Sequence, residues 1–382
     1  MAAHLPFHIL TIIFAAARDG GTSPGEMDNS SLVASHHGVR TMALVCRGWT
    51  DAAVFVLHRS VALYGGIAAS LFTRTLAELP RRALLVRSLL IALELDDDAA
   101  AGAQGTVEEG HQLIKALELC PLIDTLHVRP LPSTLRAPLL AAITSKRLDT
   151  LVLGPRLNTP HSAMFHPEDV VLLSAPPLMR LGMDFWMSRD REPTRPLAFP
   201  PLTLRNLTMA CSGAQNIILP LLDATSTLET ANIYVEGQFD DAAATASALL
   251  HVAPTLRHLA FTFNPPLEDV DPGPNTFPPV FDYILPHFQQ LEHLFVSATD
   301  ISPSALRHLP PFLTHLEIES ITDFPHFDFS DSLLTILSES DLPLRTLFVR
   351  DEAWLRGEVD EVRAACAARG ITFVHSRVCR PI

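Results

Sequence analysis

Cysteine is scarce in this sequence, with five residues among 382. They are Cys46, Cys120, Cys211, Cys366 and Cys379, and none belongs to a C-x-x-C pair. A disulfide-rich scaffold needs many closely spaced cysteines, and a structural zinc site needs pairs of ligands a few residues apart. The spacing therefore argues against both classes. It indicates reduced, mostly buried thiols, and we expect a protein of the cytoplasm, the nucleus or both.

Basic residues are also few, because 28 Lys and Arg stand against 42 Asp and Glu, for a net charge of -14. A nucleic-acid-binding surface needs clustered cations to neutralise phosphates, so nucleic acid is not an expected partner. No apolar run approaches the roughly 20 residues of a membrane-spanning helix. The apolar stretch 5–17 has no positive charge before it, unlike a signal peptide. We therefore expect no membrane partner either.

Motifs of catalysis are missing or out of context. There is no phosphate-binding loop, dinucleotide fingerprint or zinc-protease motif. Residues 21–25 match the G-x-S-x-G nucleophile elbow, but Ser23 lacks the preceding strand and following helix that a hydrolase needs. The acidic triplet 96–98 lacks the spacing of a calcium loop. We expect no catalytic residue, no cofactor, no metal site and no enzymatic activity, with a hydrolase using Ser23 as the weakest alternative.

The sequence does contain a repeated pattern, apolar-x-x-Leu-x-apolar, which begins at residue 86. Its ten central positions lie on average about 29 residues apart, at the upper end of the range for leucine-rich repeats. The central residues are Leu89, Leu126, Leu151, Leu181, Leu207, Ala231, Leu259, Leu294, Leu316 and Leu347. In a strand, the central residue and the apolar residue two positions later point to the same side. Each instance therefore predicts a short strand with one apolar face.

One such strand cannot bury its apolar face alone, whereas many strands stacked in parallel form a continuous core. The segments between them carry apolar residues at three-to-four spacing and are predicted helices. We expect an α/β fold, a curved leucine-rich-repeat solenoid of about ten to eleven parallel strands over 86–382, with helices on the convex side. Residues 61–85 are expected to be a connecting segment and N-terminal cap. A helix at 358–369, ended by Gly370, and a strand at 371–374 are predicted to close the array.

Residues beside the central positions predict a target-binding surface on the concave side, because polar groups with scattered aromatics suit protein binding. The predicted set is Arg180, Asn206, Asn232, His258, His293, Phe295, His315, Glu317 and Phe348. The three histidines each directly precede a central leucine, so neighbouring strands would place them about 4.7–4.9 Å apart. Such rings could share a metal ion or titrate together, but the sequence favours a recognition surface.

The first 60 residues lack the repeat and predict a small helical domain. An apolar helix begins at Leu5-Pro6 and continues through Phe14, and a loop rich in Gly and Ser follows over 18–38. An apolar block at 42–49 leads into a further helix at 50–58. Three short helices cannot bury all of these apolar side chains, so the surplus indicates a docking surface. The alternative is a simple N-terminal cap of the repeat array.

Two sequence blocks carry a family resemblance: Leu5-Pro6-x-x-Ile9-Leu10-x-x-Ile13-Phe14, and then Leu44-Val45-Cys46-Arg47-x-Trp49. Together they resemble the F-box of fungal-type F-box proteins with C-terminal leucine-rich repeats. The resemblance implies that the helices bind a Skp-type adaptor, and through it a cullin, while the repeats hold a target protein. It implies adaptor contacts by Leu5, Pro6, Ile9, Ile13, Leu44, Val45 and Trp49.

Two features depart from the F-box pattern. His8 stands where the family usually has an acidic residue, and the 18–38 loop is longer than the usual connection. With these departures, the predicted function is substrate recognition for a cullin-type ubiquitin ligase. The alternative is a leucine-rich-repeat scaffold for protein interactions with no ubiquitin-ligase link.

Overall fold

A computed structural model describes most of the chain. The described residues are 6–19, 47–92, 103–129, 133–154, 169, 178–185, 195–212, 215–236, 242–264, 280–298, 300–319, 329–339, 341–350 and 359–376. The chain divides into two compact units, Met1–Arg156 and Leu157–Ile382. Each unit alternates strands with helices, and each is taken by itself below.

The first unit begins with helices and continues as alternating strands and helices. Its elements are α1 (Phe7–Asp19), α2 (Arg47–Arg59), β1 (Ser60–Tyr64), α3 (Gly65–Glu78), a 3-10 helix (Pro80–Leu85), β2 (Ser88–Ala92), α4 (Ala103–Leu119), β3 (Thr125–Val128), a 3-10 helix (Ser133–Leu135), α5 (Arg136–Thr144) and β4 (Thr150–Leu153). Strands β1 to β4 pair in chain order, and every pair is parallel.

The second unit repeats the same alternation. Its elements are β5 (Arg180–Phe185), β6 (Asn206–Ser212), α6 (Gln215–Asp223), β7 (Thr230–Glu236), α7 (Ala242–Val252), β8 (His258–Asn264), α8 (Phe281–Ile284), β9 (His293–Ser297), β10 (His315–Glu319), α9 (Ser330–Glu339), β11 (Thr346–Arg350), α10 (Val359–Ala368) and β12 (Thr372–Ser376), with 3-10 helices at Leu285–His287 and Pro303–His308. Strands β5 to β12 also pair in chain order and in parallel.

The strand register aligns the central positions of the repeat with one another. In the second unit, for example, Leu294 pairs with both Leu259 and Leu316. All ten central residues are buried, with none more than 2% exposed. The residues between the buried positions are partly exposed, as in the alternating pattern of β3, β4, β10 and β11. The predicted α/β fold with parallel strands is therefore confirmed within each unit.

One backbone hydrogen-bond arrangement recurs at the entrance to the strands. The carbonyl two residues before a central position accepts from two successive N–H groups of the next repeat. The Arg257 carbonyl accepts from the Glu292 and His293 amides at 2.8 and 3.0 Å, and the Arg87 carbonyl accepts from Asp124 and Thr125 in the same way. Because unpaired buried backbone groups are costly, this arrangement fixes the register wherever a repeat meets its neighbour.

Basic side chains satisfy carbonyl groups at the ends of helices. The Lys146 ammonium donates to the carbonyls of Glu118, in the last turn of α4, and Cys120, just after it, at 3.0 and 3.2 Å. Burial lowers the pKa of Lys146, the dominant effect against the opposing charge of Cys120 and Glu118. The Arg369 guanidinium donates to the carbonyls of Ile336 and Leu337 in the last turn of α9, and to the carbonyl of Leu342 just after that helix. These contacts tie each helix end to the following repeat.

The C-terminal end of the array has the predicted form. Helix α10 ends before Gly370, whose φ of +69° lies in the left-handed region that favours glycine. The Cys366 carbonyl accepts from the Arg369 and Ile371 amides at 3.1 and 2.9 Å, which closes the helix end. Strand β12 then pairs with β11. The predicted closing helix and strand are confirmed, and the strand begins one residue later than expected.

The segment 61–85 differs from the expected connecting segment in one respect. It contains most of β1, which pairs with β2 over five residues, followed by α3. The repeat pattern missed β1 because His58 stands three residues before its central Val61, where the other repeats have an apolar residue. His58 ends up half-buried, with Nδ1 at 2.8 Å from the Val54 carbonyl. The described residues therefore contain twelve strands rather than ten or eleven.

Candidate functional site

Helices α1 and α2 pack together through a small apolar core. Leu10 and Phe14, four residues apart on α1, are buried against Ala52, Ala53 and Val56 of α2. Residues at this spacing lie on the same face of a helix, and the two alanines let the helix backbones approach closely. The pair of helices therefore has a defined inner face.

Two aromatic contacts fix the orientation of the pair. The Phe14 and Trp49 rings meet edge to face with centroids 5.6 Å apart, and Phe7 and Phe55 do the same at 5.8 Å. Edge-to-face rings at such distances attract each other beyond the effect of burial alone. Trp49 thus holds α2 against α1.

The side of α1 that faces away from α2 remains apolar and accessible. Ile12 is 63% exposed and Ile13 42%. We call these two residues the α1 apolar face. Phe7 is 51% exposed but contacts Phe55 of α2, so it belongs to the contact between the two helices. Large exposed apolar residues that cluster on one element are a common mark of a protein-binding site. Since Leu10 and Phe14 already form the inner contact, the α1 apolar face is surplus to the packing of α1 on α2.

The predicted adaptor-binding residues fall into three groups in the structure. Leu5, Leu44 and Val45 lie outside the described residues. Pro6 and Ile13 are exposed and Ile9 is half-buried, so all three are accessible on or before α1. Trp49 is half-buried against Phe14 and shapes the pair rather than facing outwards.

Sequence reasoning missed two accessible residues on α1, Phe7 and Ile12. A helical wheel starting from Leu10 and Phe14 as the inner positions would have placed Ile12 on the outside. The same wheel places Phe7 on the side of Leu10 and Phe14, where it contacts Phe55.

In the second unit, the predicted target-binding residues lie on the strands in two rows. The row before the central positions holds Arg180, Asn206, His258, His293 and His315, and the row after them holds Asn232, Phe295, Glu317 and Phe348. Both rows alternate with the buried positions, and every member is partly or fully exposed. They therefore occupy the same side of the sheet. We call the part formed by β8 to β11 the exposed strand face.

The three predicted histidines stack on one another. The ring centroids of His258 and His293 are 4.4 Å apart at an interplanar angle of 26°, and those of His293 and His315 are 4.0 Å apart at 10°. Thr314 places its Oγ1 2.8 Å from Nδ1 of His315. The strand register pairs His258 with His293 and His293 with His315, so consecutive strands dictate the stack.

The middle ring of the stack, His293, has a perturbed ionisation. Burial lowers its pKa below the ordinary value of 6.5, and the charges of His315 and His258 lower it further. The neighbouring Glu292 carboxylate acts in the opposite direction. Because desolvation and like charge both disfavour the protonated form, His293 is held neutral at neutral pH.

An ionic and aromatic cluster lies next to the stack. Register places Glu317 between Phe295 and Phe348 on adjacent strands. Arg350 donates a hydrogen bond to Glu319 Oε1 at 2.6 Å and forms an ion pair with Glu317 Oε1 at 2.8 Å. Its guanidinium carbon also lies 5.8 and 5.2 Å from the centroids of the Phe295 and Phe348 rings. With its side chain only 11% exposed, Arg350 is fixed by these four partners.

Sequence reasoning missed Arg350 and Glu319. Both stand three residues after a central leucine, one position beyond the apolar-x-x-Leu-x-apolar pattern. The alternation of strand side chains continues at that position and places both residues on the same side as the two predicted rows. Extending the pattern by one residue would have found them.

Exposed ion pairs line the entrance to the strands. Arg205 lies 3.4 Å from Glu229, and Arg257 lies 3.6 Å from Glu292. All four residues stand two positions before a central residue, so Arg and Glu alternate over four consecutive repeats. Each pair is well exposed and contributes about 0–1 kcal/mol. This row is electrically balanced and adds little to stability.

The described residues offer little for covalent or metal chemistry. Burial raises the pKa of the Cys120 thiol to about 12 and of the Cys366 thiol to about 11, so neither is a reactive thiolate at neutral pH. Over the same residues, no group of three or more His, Cys, Asp and Glu side chains is placed to hold a metal ion. Ser23 and the acidic triplet 96–98 lie outside the described residues.

No helix in the described part of the chain combines the length and apolar character needed to span a bilayer. In comparisons with known proteins, the chain matches no family model and no curated sequence. The α1 apolar face and the exposed strand face are therefore the two surfaces from which a function can be inferred.

Proposed function

We propose that this protein is a substrate-recognition adaptor of a cullin-type ubiquitin ligase. In this proposal the helical pair α1–α2 binds a Skp-type adaptor, and the exposed strand face binds the target protein. The observation that carries it is the α1 apolar face, formed by Ile12 and Ile13 on a helix whose other side is already packed. The resemblance of the same segment to an F-box names the partner.

The strand face supports the second half of the proposal. Aromatic residues and Arg are enriched in the centres of protein interfaces. Phe295, Phe348 and Arg350 supply this chemistry around Glu317 on strands β9 to β11. The role of the protein would be positional: it holds the target near a ligase whose catalytic groups belong to other subunits.

Binding to a purified Skp-type adaptor tests the proposal directly. The full chain should form a one-to-one complex that is measurable by calorimetry. Replacing Ile13 with Asp places a charge on the α1 apolar face without touching the α1–α2 core. The affinity for the adaptor should therefore fall at least about 30-fold, which corresponds to roughly 2 kcal/mol. Ile12→Asp should act in the same direction.

The matched control is Ile67→Asp on α3. Ile67 is an isoleucine of the same unit that is 78% exposed and belongs to neither helix of the pair. This variant should bind the adaptor as the unmodified chain does. Failure of the unmodified chain to form any complex would overturn the adaptor role and leave a protein-interaction scaffold as the function that the strand face supports. Equal losses for Ile13→Asp and Ile67→Asp would contradict a specific role of the α1 apolar face.

A further inference from the structure

The histidine stack has a geometry that depends on its charge state. Its three rings are 4.4 and 4.0 Å apart and nearly parallel, which is a favourable arrangement for neutral aromatic rings. Two protonated imidazoles at that distance would repel each other, and the partly buried setting weakens the screening by water. Protonation of the rings therefore destabilises the closed stack.

The charged groups around the stack do not offset this repulsion between protonated rings. They are Glu229, Arg257, Glu292, Glu317, Arg345 and Arg350, which lie on or just before strands β7 to β11. Glu292 is the carboxylate that favours protonated His293, but it already pairs with Arg257. Glu317 pairs with Arg350. Glu229 pairs with Arg205. Within the part of the chain that the structure describes, each of these three glutamates therefore shares its charge with an arginine, and none can offset by charge alone the repulsion within a protonated stack.

We propose that the His258–His293–His315 stack is a pH-responsive switch on the exposed strand face. Near neutral pH the three rings form a closed stack in which His293 is uncharged. In mildly acidic solution proton uptake separates the rings and gives this face positive charge. The switch is a property of the second unit and does not depend on the proposed ubiquitin-ligase role. It would alter the binding of any partner that contacts the row of histidines, whatever the identity of that partner.

Threonine is the natural replacement for testing the switch. Thr230 and Thr346 occupy the same register as the histidines on the flanking strands β7 and β11. A threonine at position 258 or 315 therefore preserves a side chain that this row already accommodates. The double variant His258→Thr/His315→Thr removes both neighbours of His293 and leaves the strand pairing intact.

The experiment is a nuclear magnetic resonance titration of the full chain with labelled histidine side chains, with the His293 signal assigned from His293→Thr. In the unmodified chain, His293 should titrate below the ordinary value of 6.5, and the backbone amides of Leu294 and Leu316 should shift with the same midpoint. In the double variant, the pKa of His293 should be higher, and the backbone amide of Leu316 should no longer shift with the midpoint of His293.

The matched control is His251→Thr on α7, an exposed histidine of the same unit outside the stack. It should leave the titration of His293 unchanged. An unchanged pKa of His293 in the double variant would overturn the proposal, because His293 would then titrate independently of its two neighbours. The proposal would also be overturned if the backbone amides of β9 and β10 did not respond to pH in the unmodified chain. Should the double variant fail to fold, the single variants His258→Thr and His315→Thr take its place, and each must raise the pKa of His293. A pKa of His293 equal to that in the unmodified chain would overturn the proposal.

Discussion

Arg350 is the residue whose surroundings explain most about the exposed strand face. Its guanidinium bridges Glu317 and Glu319, and it lies over the rings of Phe295 and Phe348. Hydrogen bonds to charged groups that are largely shielded from water are stronger than those at the surface. A single side chain thus holds polar and aromatic groups of three neighbouring strands, β9 to β11, in one arrangement.

At this scale we predict the effect of removing that cation. Arg350→Met keeps much of the side-chain volume but leaves two carboxylates close together and poorly hydrated. The free energy of unfolding in urea should fall by about 1–3 kcal/mol. Arg257→Met is the control, because its ion pair with Glu292 is well exposed, and it should cost no more than about 1 kcal/mol. Similar losses for the two variants would show that Arg350 is an ordinary surface residue.

At the scale of elements, helix α3 lies unusually close to α4. A Cβ atom on Gly66 would come within 2.7 Å of Glu109 Cβ and 2.9 Å of Glu109 Cα. Real atoms do not approach so closely, and the backbone atom of Glu109 cannot turn aside as a flexible side-chain end would. Gly66 therefore permits the two helices to pack at this distance.

Gly66→Ala should destabilise the protein, although Gly→Ala in a helix ordinarily stabilises it by about 0.5–1 kcal/mol. The clash with Glu109 must be relieved by a shift of one helix, at a cost of roughly 1–3 kcal/mol. Thermal unfolding followed by circular dichroism measures the effect. Ser70→Ala, an exposed position on the same helix, is the control and should change stability by less than about 0.5 kcal/mol. A higher melting temperature for Gly66→Ala would contradict the close packing.

At the scale of the whole molecule, the histidine stack links stability to pH. The pKa of His293 is lowered in the folded protein, so between that pKa and the ordinary value of 6.5 the unfolded chain binds more protons. The contribution of neutral His293 to stability is therefore fully present above pH 6.5, and it is lost as the pH falls from 6.5 through the pKa of His293 in the folded protein. His293→Thr should reduce the decrease in melting temperature between pH 7.5 and pH 5. An equal or larger decrease in the variant would contradict this linkage.

The strand register could be predicted from the sequence because one short pattern fixes which side chains are buried. Leu126, Leu207, Leu294 and Leu347 all occupy the predicted inner position, and the three histidines lie side by side as their spacing required. Other features could not be predicted from that pattern. Strand β1 has His58 in place of an apolar residue, and the contacts of Arg350 require side chains from three strands to be known at once.

The most direct test of the proposed function is hydrogen–deuterium exchange of the full chain with and without a Skp-type adaptor. We expect slower exchange in Phe7–Asp19 when the adaptor is bound, and unchanged exchange in the strands β8 to β11, which stay accessible to a target. Protection of β8 to β11 with none in Phe7–Asp19 would contradict this expectation, because the adaptor would then occupy the face assigned to the target. No protection in either region would contradict adaptor binding itself.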